Sequence, residues 1–155
     1  MRISRAGPEH LGAIRELLVA SPLLRRYGTT KRGGRASLEE ALGAGDTLVV
    51  ALEGIEVLGV AWVIATRALD RSAYLRLLLV SEGSRSQGIG GRLVADVERR
   101  ARAAGCRHLL LLVTTTNRRA RAFYVRHGYR HFADLPAFVR PGISESLYQK
   151  RLSGR

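Results

Sequence analysis

Three dense apolar runs dominate the middle of the chain: TLVVAL (47–52), EVLGVAWVIAT (56–66) and YLRLLLV (74–80). Their aliphatic and β-branched content, with Glu53-Gly54 as a turn between the first two, predicts a hairpin followed by a third strand, all neighbours and antiparallel. Arg2–Arg5 adds a short first strand. Elsewhere the apolar spacing lengthens to three and four. Leu11, Ile14, Leu17 and Leu18 form a stripe behind Gly7-Pro8-Glu9, a helix start where the missing N–H of proline costs nothing, so a helix runs to about Ala20. Ser37 with Glu40 fits a capping box for a short second helix. The basic, glycine-containing segment 21–37 before it is expected to be an irregular, mobile connection. Ile89, Leu93, Val97, Ala101 and Ala104 predict a helix over 87–104, with Glu98 and Arg102 as a favourable i,i+4 pair and Gly105 as its stop. HLLLLVTTT (108–116) is too apolar for a half-exposed strand and belongs at the centre of a sheet. Asn117 caps a further helix that Gly128 ends. YRHFADLPAFV (129–139) and SESLYQKRL (144–152) close the chain as two more strands, with Pro136 and Pro141 in or beside their connection. The sum is an α/β chain: one mixed, mostly antiparallel sheet of about seven strands flanked by about four helices, organised as one domain over residues 1–155.

Composition agrees, with 46% apolar and 25% charged residues, the balance of an ordinary globular domain. No apolar run reaches the length of a membrane span, and the start MRISRAGPEH has no apolar signal region, so a cytoplasmic location is expected, with no membrane partner. The single Cys106 makes neither an internal disulfide nor a zinc site and reads as a small buried residue; no metal is expected. Charge changes the picture more. The net charge is +13, and of 26 cationic residues only Lys31 and Lys150 are lysines, so 26 − 2 leaves 24 arginines. Such a field draws polyanions: a phosphate-rich cofactor, an acidic partner or RNA. The arginines are dispersed, which fits a compositional bias of the genome better than a nucleic-acid surface, and aromatics are only 6% of the chain, which leaves little for base stacking.

The stretch RSQGIGGRL (85–93) says where an anion would sit. A strand running through a short loop into a glycine-rich helix start presents first-turn N–H groups that have no partner within the helix and carry the positive end of its dipole. Arg85 and the amides near Gln87, Gly88, Gly90 and Gly91 would cradle a phosphate. Gly83 and Gly88 have P-loop spacing, but Ile89-Gly90 stands where Lys-Ser/Thr is needed, which excludes a nucleoside-triphosphatase. Gly88-Ile89-Gly90 begins a dinucleotide fingerprint, but Leu93 replaces its third glycine and no acidic residue ends the next strand.

Arg85-Ser86-Gln87-Gly88-Ile89-Gly90 resembles the Arg/Gln-x-x-Gly-x-Gly/Ala signature of the GNAT superfamily of N-acetyltransferases, with Leu78-Leu79-Val80 in the place of its cofactor-contacting strand. Asn117-Arg-Arg-Ala120-Arg-Ala-Phe123-Tyr124, ending in Gly128-Tyr129, is similar to the family's Asn-x-x-Ala-x-x-Phe-Tyr helix. The resemblance implies acetyl-CoA or a related acyl-CoA as co-substrate. Its pyrophosphate would lie on Arg85, Ser86, Gln87, Gly88, Ile89, Gly90 and Gly91, and its pantetheine arm would run between the strands 74–80 and 108–116, along Leu78, Leu79 and Val80. It further implies acetyl transfer to a primary amine of a small molecule or a protein, by direct attack through a tetrahedral intermediate. The backbone N–H around Val80 would stabilise the oxyanion, Tyr124 would meet the sulfur as general acid, and Asn117 would touch the cofactor.

The residues themselves leave alternatives. Tyr124 also suits a purely structural place on the face shared by Ala120, Phe123 and His127, and Asn117 is equally a helix cap. A phenol near pKa 10 facing a thiol near 8.5 makes complete proton transfer about 2 kcal/mol uphill, so a hydrogen bond to developing thiolate is the better role for Tyr124. A lysine-like acceptor is neutral in fewer than about one in a thousand molecules at pH 7, which calls for a base. Where many family members carry a glutamate on the fourth strand, this chain has Tyr74 and Arg76. Glu53 and Glu56 belong to a hairpin tip, and His131 and Asp134 have no fixed direction, so no base is assigned. Acceptor choice falls to Arg25, Arg26, Tyr27 and the loop ADLPAFVRPGISES. Two other functions remain open: a GNAT-type toxin acetylating aminoacyl-tRNA, and a non-catalytic acyl-CoA sensor. A homodimer remains open as well.

Overall fold

The computed structural model describes residues 1–152. In chain order the elements are β1 (Arg2–Arg5), α1 (Leu11–Ala20), α2 (Pro22–Arg26), α3 (Lys31–Gly43), β2 (Thr47–Glu53), β3 (Glu56–Ala65), α4 (Ala68–Arg71), β4 (Ser72–Val80), α5 (Ile89–Ala103), β5 (His108–Thr114), α6 (Arg118–Arg126), β6 (Arg130–Arg140) and β7 (Ile143–Arg151). The seven strands form one sheet in the order β1-β2-β3-β4-β5-β7-β6, so β5 is interior, as its apolar content predicts. Pairing is antiparallel for β1–β2, β2–β3, β5–β7 and β6–β7, and parallel for β4–β5. None of the described helices is long and apolar enough to cross a membrane.

The chain groups into two compact units, Met1–Ile64 with Leu77–Val97, and Ala65–Arg76 with Glu98 onward. In the first, Ile14 and Leu18 of α1 and Leu38 and Ala41 of α3 pack with Leu48, Val50 and Leu52 of β2 and Val57, Val60 and Trp62 of β3. The Trp62 indole N–H donates to Asp46 at 2.8 Å, which satisfies its one polar atom.

The expectation for residues 21–37 is corrected here. That segment is neither irregular throughout nor the lead-in to a helix at Ser37. Ser21 accepts from the Leu24 N–H and starts α2, with Pro22 in its first turn. Thr30 accepts from the Gly33 N–H at 3.0 Å and starts α3 seven residues before Ser37. The glycine pair disguises this helix, because its intrinsic cost of about 1 kcal/mol per glycine argues against one. Tertiary packing offsets that cost: Gly34 is buried, and a Cβ there would lie 3.7 Å from Leu18 Cδ1. Among the described residues six α-helices therefore stand where about four were expected, the extra two being α2 and α4, of five and four residues.

In the second unit, α4 has no counterpart in the apolar pattern because it is not an ordinary helix. Leu69, Asp70 and Arg71 all have φ between 51° and 60°, which costs an L-residue about 1–2 kcal/mol each. The turn is held by Ser72 Oγ donating to Leu69 O at 2.6 Å, Arg107 N donating to Arg71 O at 2.9 Å, and an Arg107–Asp70 ion pair at 3.1 Å. The helix α5 starts at Ile89 rather than 87, and Ala104, expected on its apolar stripe, is exposed beyond its end. The strand β5 stops at Thr114, whose C=O accepts from Asn117 N at 2.8 Å in the turn that leads into α6. Pro136 lies inside β6, the last strand of the sheet, beside its register shift between Leu135 and Arg140, a place where a missing N–H is tolerated.

Candidate active site

The glycine-rich stretch takes the predicted form. Ser86 and Gly88 adopt φ of +64° and +76°, which turns the chain abruptly into α5; at Gly88 any other residue would be strained. The first bond back along the helix is Arg92 N to Gly88 O at 3.1 Å, so the N–H groups of Ile89, Gly90 and Gly91 have no partner within the helix. Arg85 pairs with Glu82 at 3.5 Å and remains exposed beside this turn, and Gln87 donates weakly to Gly83 O at 3.4 Å. A fifteen-residue helix with a glycine entrance and an arginine beside it is a donor set suited to a diphosphate.

The end of β4 is shaped by a glycine whose role the apolar pattern alone left unread. A Cβ at Gly59 of β3 would meet Leu79 O at 2.9 Å and Leu93 Cδ1 at 3.1 Å. A bare α-carbon thus lets β4 approach β3 there; the signal was a lone glycine inside an apolar strand. Ser81 N donates to Leu58 O at 2.9 Å, so the peptide groups of Leu79 and Ser81 face β3. By strand alternation the N–H and C=O of Val80 point to the opposite edge. The ladder on that edge covers only Ser72–Leu75 of β4, and Leu78, Leu79 and Val80 lie beyond it, half-buried. Replacing Gly59 by alanine is expected to cost about 1–3 kcal/mol and to displace Leu79 and Val80; thermal melts and cofactor titration of the variant check both.

In the second unit, Asn117 Oδ1 accepts from Ala120 N at 3.1 Å and so caps α6, leaving its amide NH2 for another partner. Arg121, which the motif left unassigned, fastens α6: its Nε donates to the Tyr148 hydroxyl at 3.0 Å and its Nη1 to Thr115 O at 3.1 Å. Tyr124 is buried at 7% exposure, with edge-on ring contacts to Phe123 at 5.1 Å and Tyr129 at 5.5 Å. Burial, and then the field of Tyr74, push its phenol well above the ordinary tyrosine range. It therefore stays protonated and available as a donor. Tyr129 donates to Glu98 at 3.1 Å, and Glu98 also holds Lys150 at 2.8 Å and Arg102 at 3.4 Å, so the predicted i,i+4 pair is part of a larger buried network.

The other sequence candidates resolve without joining a site. Glu53 and Glu56 are exposed at the hairpin tip. Asp134 accepts from Ser146 Oγ at 2.6 Å and pairs with His131 at 2.9 Å. The Ser146 bond, then that histidine, hold its carboxyl below the usual range. Ser146 thus addresses the acid rather than the imidazole, and no activated nucleophile results. Cys106 is buried, and burial pushes its thiol up, away from reactivity.

The chain is similar to known proteins in sequence and in fold. Residues 10–129 fit the sequence profile described as Acetyltransferase (GNAT) family. A blasticidin-S acetyltransferase from Streptomyces morookaense is 41% identical over 80 residues, 51% of this chain and 57% of that protein, so the chain matches little more than half of this relative's length. The fold is shared with an aminoglycoside 6'-N-acetyltransferase solved with coenzyme A (TM-score 0.85, 19% identity, 100% of this chain and 99% of that one). It is shared also with a Salmonella typhimurium protein solved with its cofactor acetyl-CoA (TM-score 0.79, 18% identity, 100% and 95%). The matched span holds the glycine-rich turn into α5, the end of β4, Asn117 and Tyr124, and the chain belongs to the GNAT acetyltransferase family.

Proposed function

We propose that the protein is an acetyl-CoA-dependent N-acetyltransferase that transfers an acetyl group to a primary amine of a small molecule. The observation that carries the reading is the turn into α5: an entrance with Ser86 and Gly88 in left-handed backbone, followed by first-turn N–H groups with no helical partner. The residues present fit the co-substrate. Gly88, Ile89, Gly90 and Gly91 offer amides to its pyrophosphate, and Arg85, Ser86 and Gln87 supply the surrounding polar groups. Leu78, Leu79 and Val80 offer a strand edge to its pantetheine arm, and the Asn117 amide NH2 offers a donor. When bound, acetyl-CoA supplies an acetyl group activated as a thioester.

The chain's own groups do the rest. The Val80 N–H, on the edge of β4 turned away from β3, would donate to the oxyanion of direct attack, and a preorganised donor of that kind is usually the largest electrostatic term. Tyr124, kept protonated by burial, donates a hydrogen bond to the sulfur as the C–S bond breaks. Burial makes the phenol a weaker acid still, so stabilising the thiolate by hydrogen bonding fits better than handing over the proton outright. Arg25, Arg26, Tyr27 and the segment from Ala133 to Ser146 are the sequence's candidates for acceptor choice.

The curated relative acts on blasticidin S by its name, and one structural neighbour on aminoglycosides by its description, so aminated antibiotics are the first acceptors to test. A thiol-release assay with acetyl-CoA and blasticidin S, kanamycin, spermidine, an Ala-Ala peptide and charged tRNA is expected to show turnover with a small amine. Release with charged tRNA alone would move the assignment to a tRNA-directed enzyme, and acetyl-CoA binding without release for any amine would make the protein a sensor.

A further inference from the structure

Helix α6 carries Tyr124 and is capped by Asn117, yet little of its own surface holds it in place. It is nine residues long, and of these Tyr124 alone is fully buried, while Arg118, Arg119, Ala122, Val125 and Arg126 are exposed. A helix this short is marginal in water and takes its position from tertiary contacts. At its C-terminal end Tyr129 supplies one, through its bond to Glu98 at 3.1 Å. The ring contacts of Tyr124 are to Phe123 of the same helix and to Tyr129 just after it, so they leave the N-terminal half unfixed.

Arg121, three residues before Tyr124 and so its neighbour along the helix, reaches out of α6 in two directions. Its Nε donates to the Tyr148 hydroxyl at 3.0 Å and its Nη1 to Thr115 O at 3.1 Å. Both acceptors are themselves fixed. Tyr148 is buried at 2% exposure, with its ring edge-on to His131 at 5.4 Å. The β5–β7 ladder runs without a shift from His108↔Arg151 to Thr114↔Glu145, so Ser146 and Tyr148 share the face of β7 that carries α6, and the buried Glu145 lies on the other. Thr115 follows β5 directly, and its N–H donates to Ser144 O at 2.9 Å. A planar guanidinium bonded to a strand residue and to a loop carbonyl sets the rotation of the helix about its axis as well as its distance from the sheet. Asn117 is built locally instead: its N–H donates to Thr114 O at 2.8 Å and its Oδ1 accepts from Ala120 N at 3.1 Å. Those bonds fix where the helix starts and not how it is turned.

We propose that Arg121 is the positioning residue for Tyr124: by tying α6 to Tyr148 and Thr115 it holds the phenol hydroxyl in the place from which it donates to the departing sulfur. This rests on the acetyltransferase reading above. Arg121 touches no reacting atom in this role and moves no proton; it acts through Tyr124. A misplacement of about 1 Å at a reacting group can cost about 100-fold in rate, so a loosened α6 appears in kcat. Acetyl-CoA binding rests on the turn into α5 and the edge of β4 and is spared.

The test is a double-mutant cycle of Arg121→Met with Tyr124→Phe, read as kcat and KM for the fastest amine of blasticidin S, kanamycin and spermidine, with acetyl-CoA affinity measured by calorimetry. Methionine keeps an unbranched stem and a high helix propensity while removing the donors. Arg121→Met is expected to lower kcat by about 10- to 100-fold, with KM and acetyl-CoA affinity within about a factor of two. In that background Tyr124→Phe should cost no more than about threefold further, because both changes remove the same hydrogen bond to sulfur. Losses that multiply overturn the proposal, since Arg121 then supports the fold in general. A kcat within about threefold of wild type, or an acetyl-CoA affinity that falls as far as kcat, overturns it as well. If melting curves show that Arg121→Met does not fold, Tyr148→Phe takes its place in the cycle. It keeps the buried ring and removes one of the two acceptors, and a loss of about tenfold in kcat that does not add to that of Tyr124→Phe is expected; the same outcomes overturn the proposal. A wild type that releases no thiol with any amine overturns the acetyltransferase reading and the role of Arg121 with it, whereas an active wild type with multiplying losses overturns the role of Arg121 alone.

Discussion

Tyr124→Phe is expected to lower kcat about 100-fold while leaving acetyl-CoA affinity within a factor of two. The substitution removes one hydroxyl and keeps the ring, so the edge-on contacts to Phe123 and Tyr129 persist and the fold is not at stake. On the proposed mechanism, what is lost is a donor held protonated by burial that would meet the negative charge developing on sulfur. Charge stabilised only in the transition state appears in kcat and not in ground-state binding, so the split between the two constants is diagnostic. An equal loss in both would make Tyr124 a packing residue. The pH dependence follows from the direction of its shift. Since burial raises the phenol, ionisation of Tyr124 removes no activity at or below about pH 10, the ordinary tyrosine value. The same sign governs stability. A group whose folded pKa is raised contributes fully below the unfolded value, and that contribution is lost as pH climbs above about 10.

The parts of this site that were legible in the sequence are those written in short local patterns. The turn into α5 needs glycine at a left-handed position and a helix directly after it, both visible within RSQGIGGRL. The cap of α6 is visible as Asn117 ahead of a periodic stripe, and the structure shows its Oδ1 accepting from Ala120 N. What stayed hidden depends on residues distant in sequence. The α3 start at Thr30 was masked by Gly33 and Gly34, whose propensity cost is offset only by packing on Leu18. The close approach at Gly59 needs β4, twenty residues on. Glu145 sits in SESLYQKR, a strand that alternates polar residues on both faces, so nothing in its spacing separates a buried carboxylate from a solvated one. Strand register alone divides Glu145 from Ser146, and register is a property of the whole sheet.

Glu98→Ala is expected to be the most destabilising single change among the polar residues, by about 2–4 kcal/mol. Glu98 accepts two bonds from Lys150, at 2.8 and 2.9 Å, and one from Tyr129 at 3.1 Å, and it joins α5 to β7 and to the residue that follows the α6 stop. Removing it strands a cation whose side chain is only 26% exposed, and leaves a buried hydroxyl without its acceptor. The half-exposed Arg102 loses little, since water replaces its partner. For a chain of this size the loss corresponds to a fall in Tm of about 5–15 °C. A second readout separates this network from mere packing. Glu98 raises the Tyr129 phenol both through its field and through their hydrogen bond, so in Glu98→Ala that phenol should ionise at lower pH in a titration at 295 nm. Since the Tyr129 ring also abuts Tyr124, kcat should fall as well, though less than in Tyr124→Phe. Pairing Glu98→Leu with Lys150→Met removes both charges at once and should recover much of the lost stability. If Glu98→Ala melts within a degree or two of wild type, the network contributes nothing that water does not, and the positioning of Tyr124 must come from the ring contacts and Arg121.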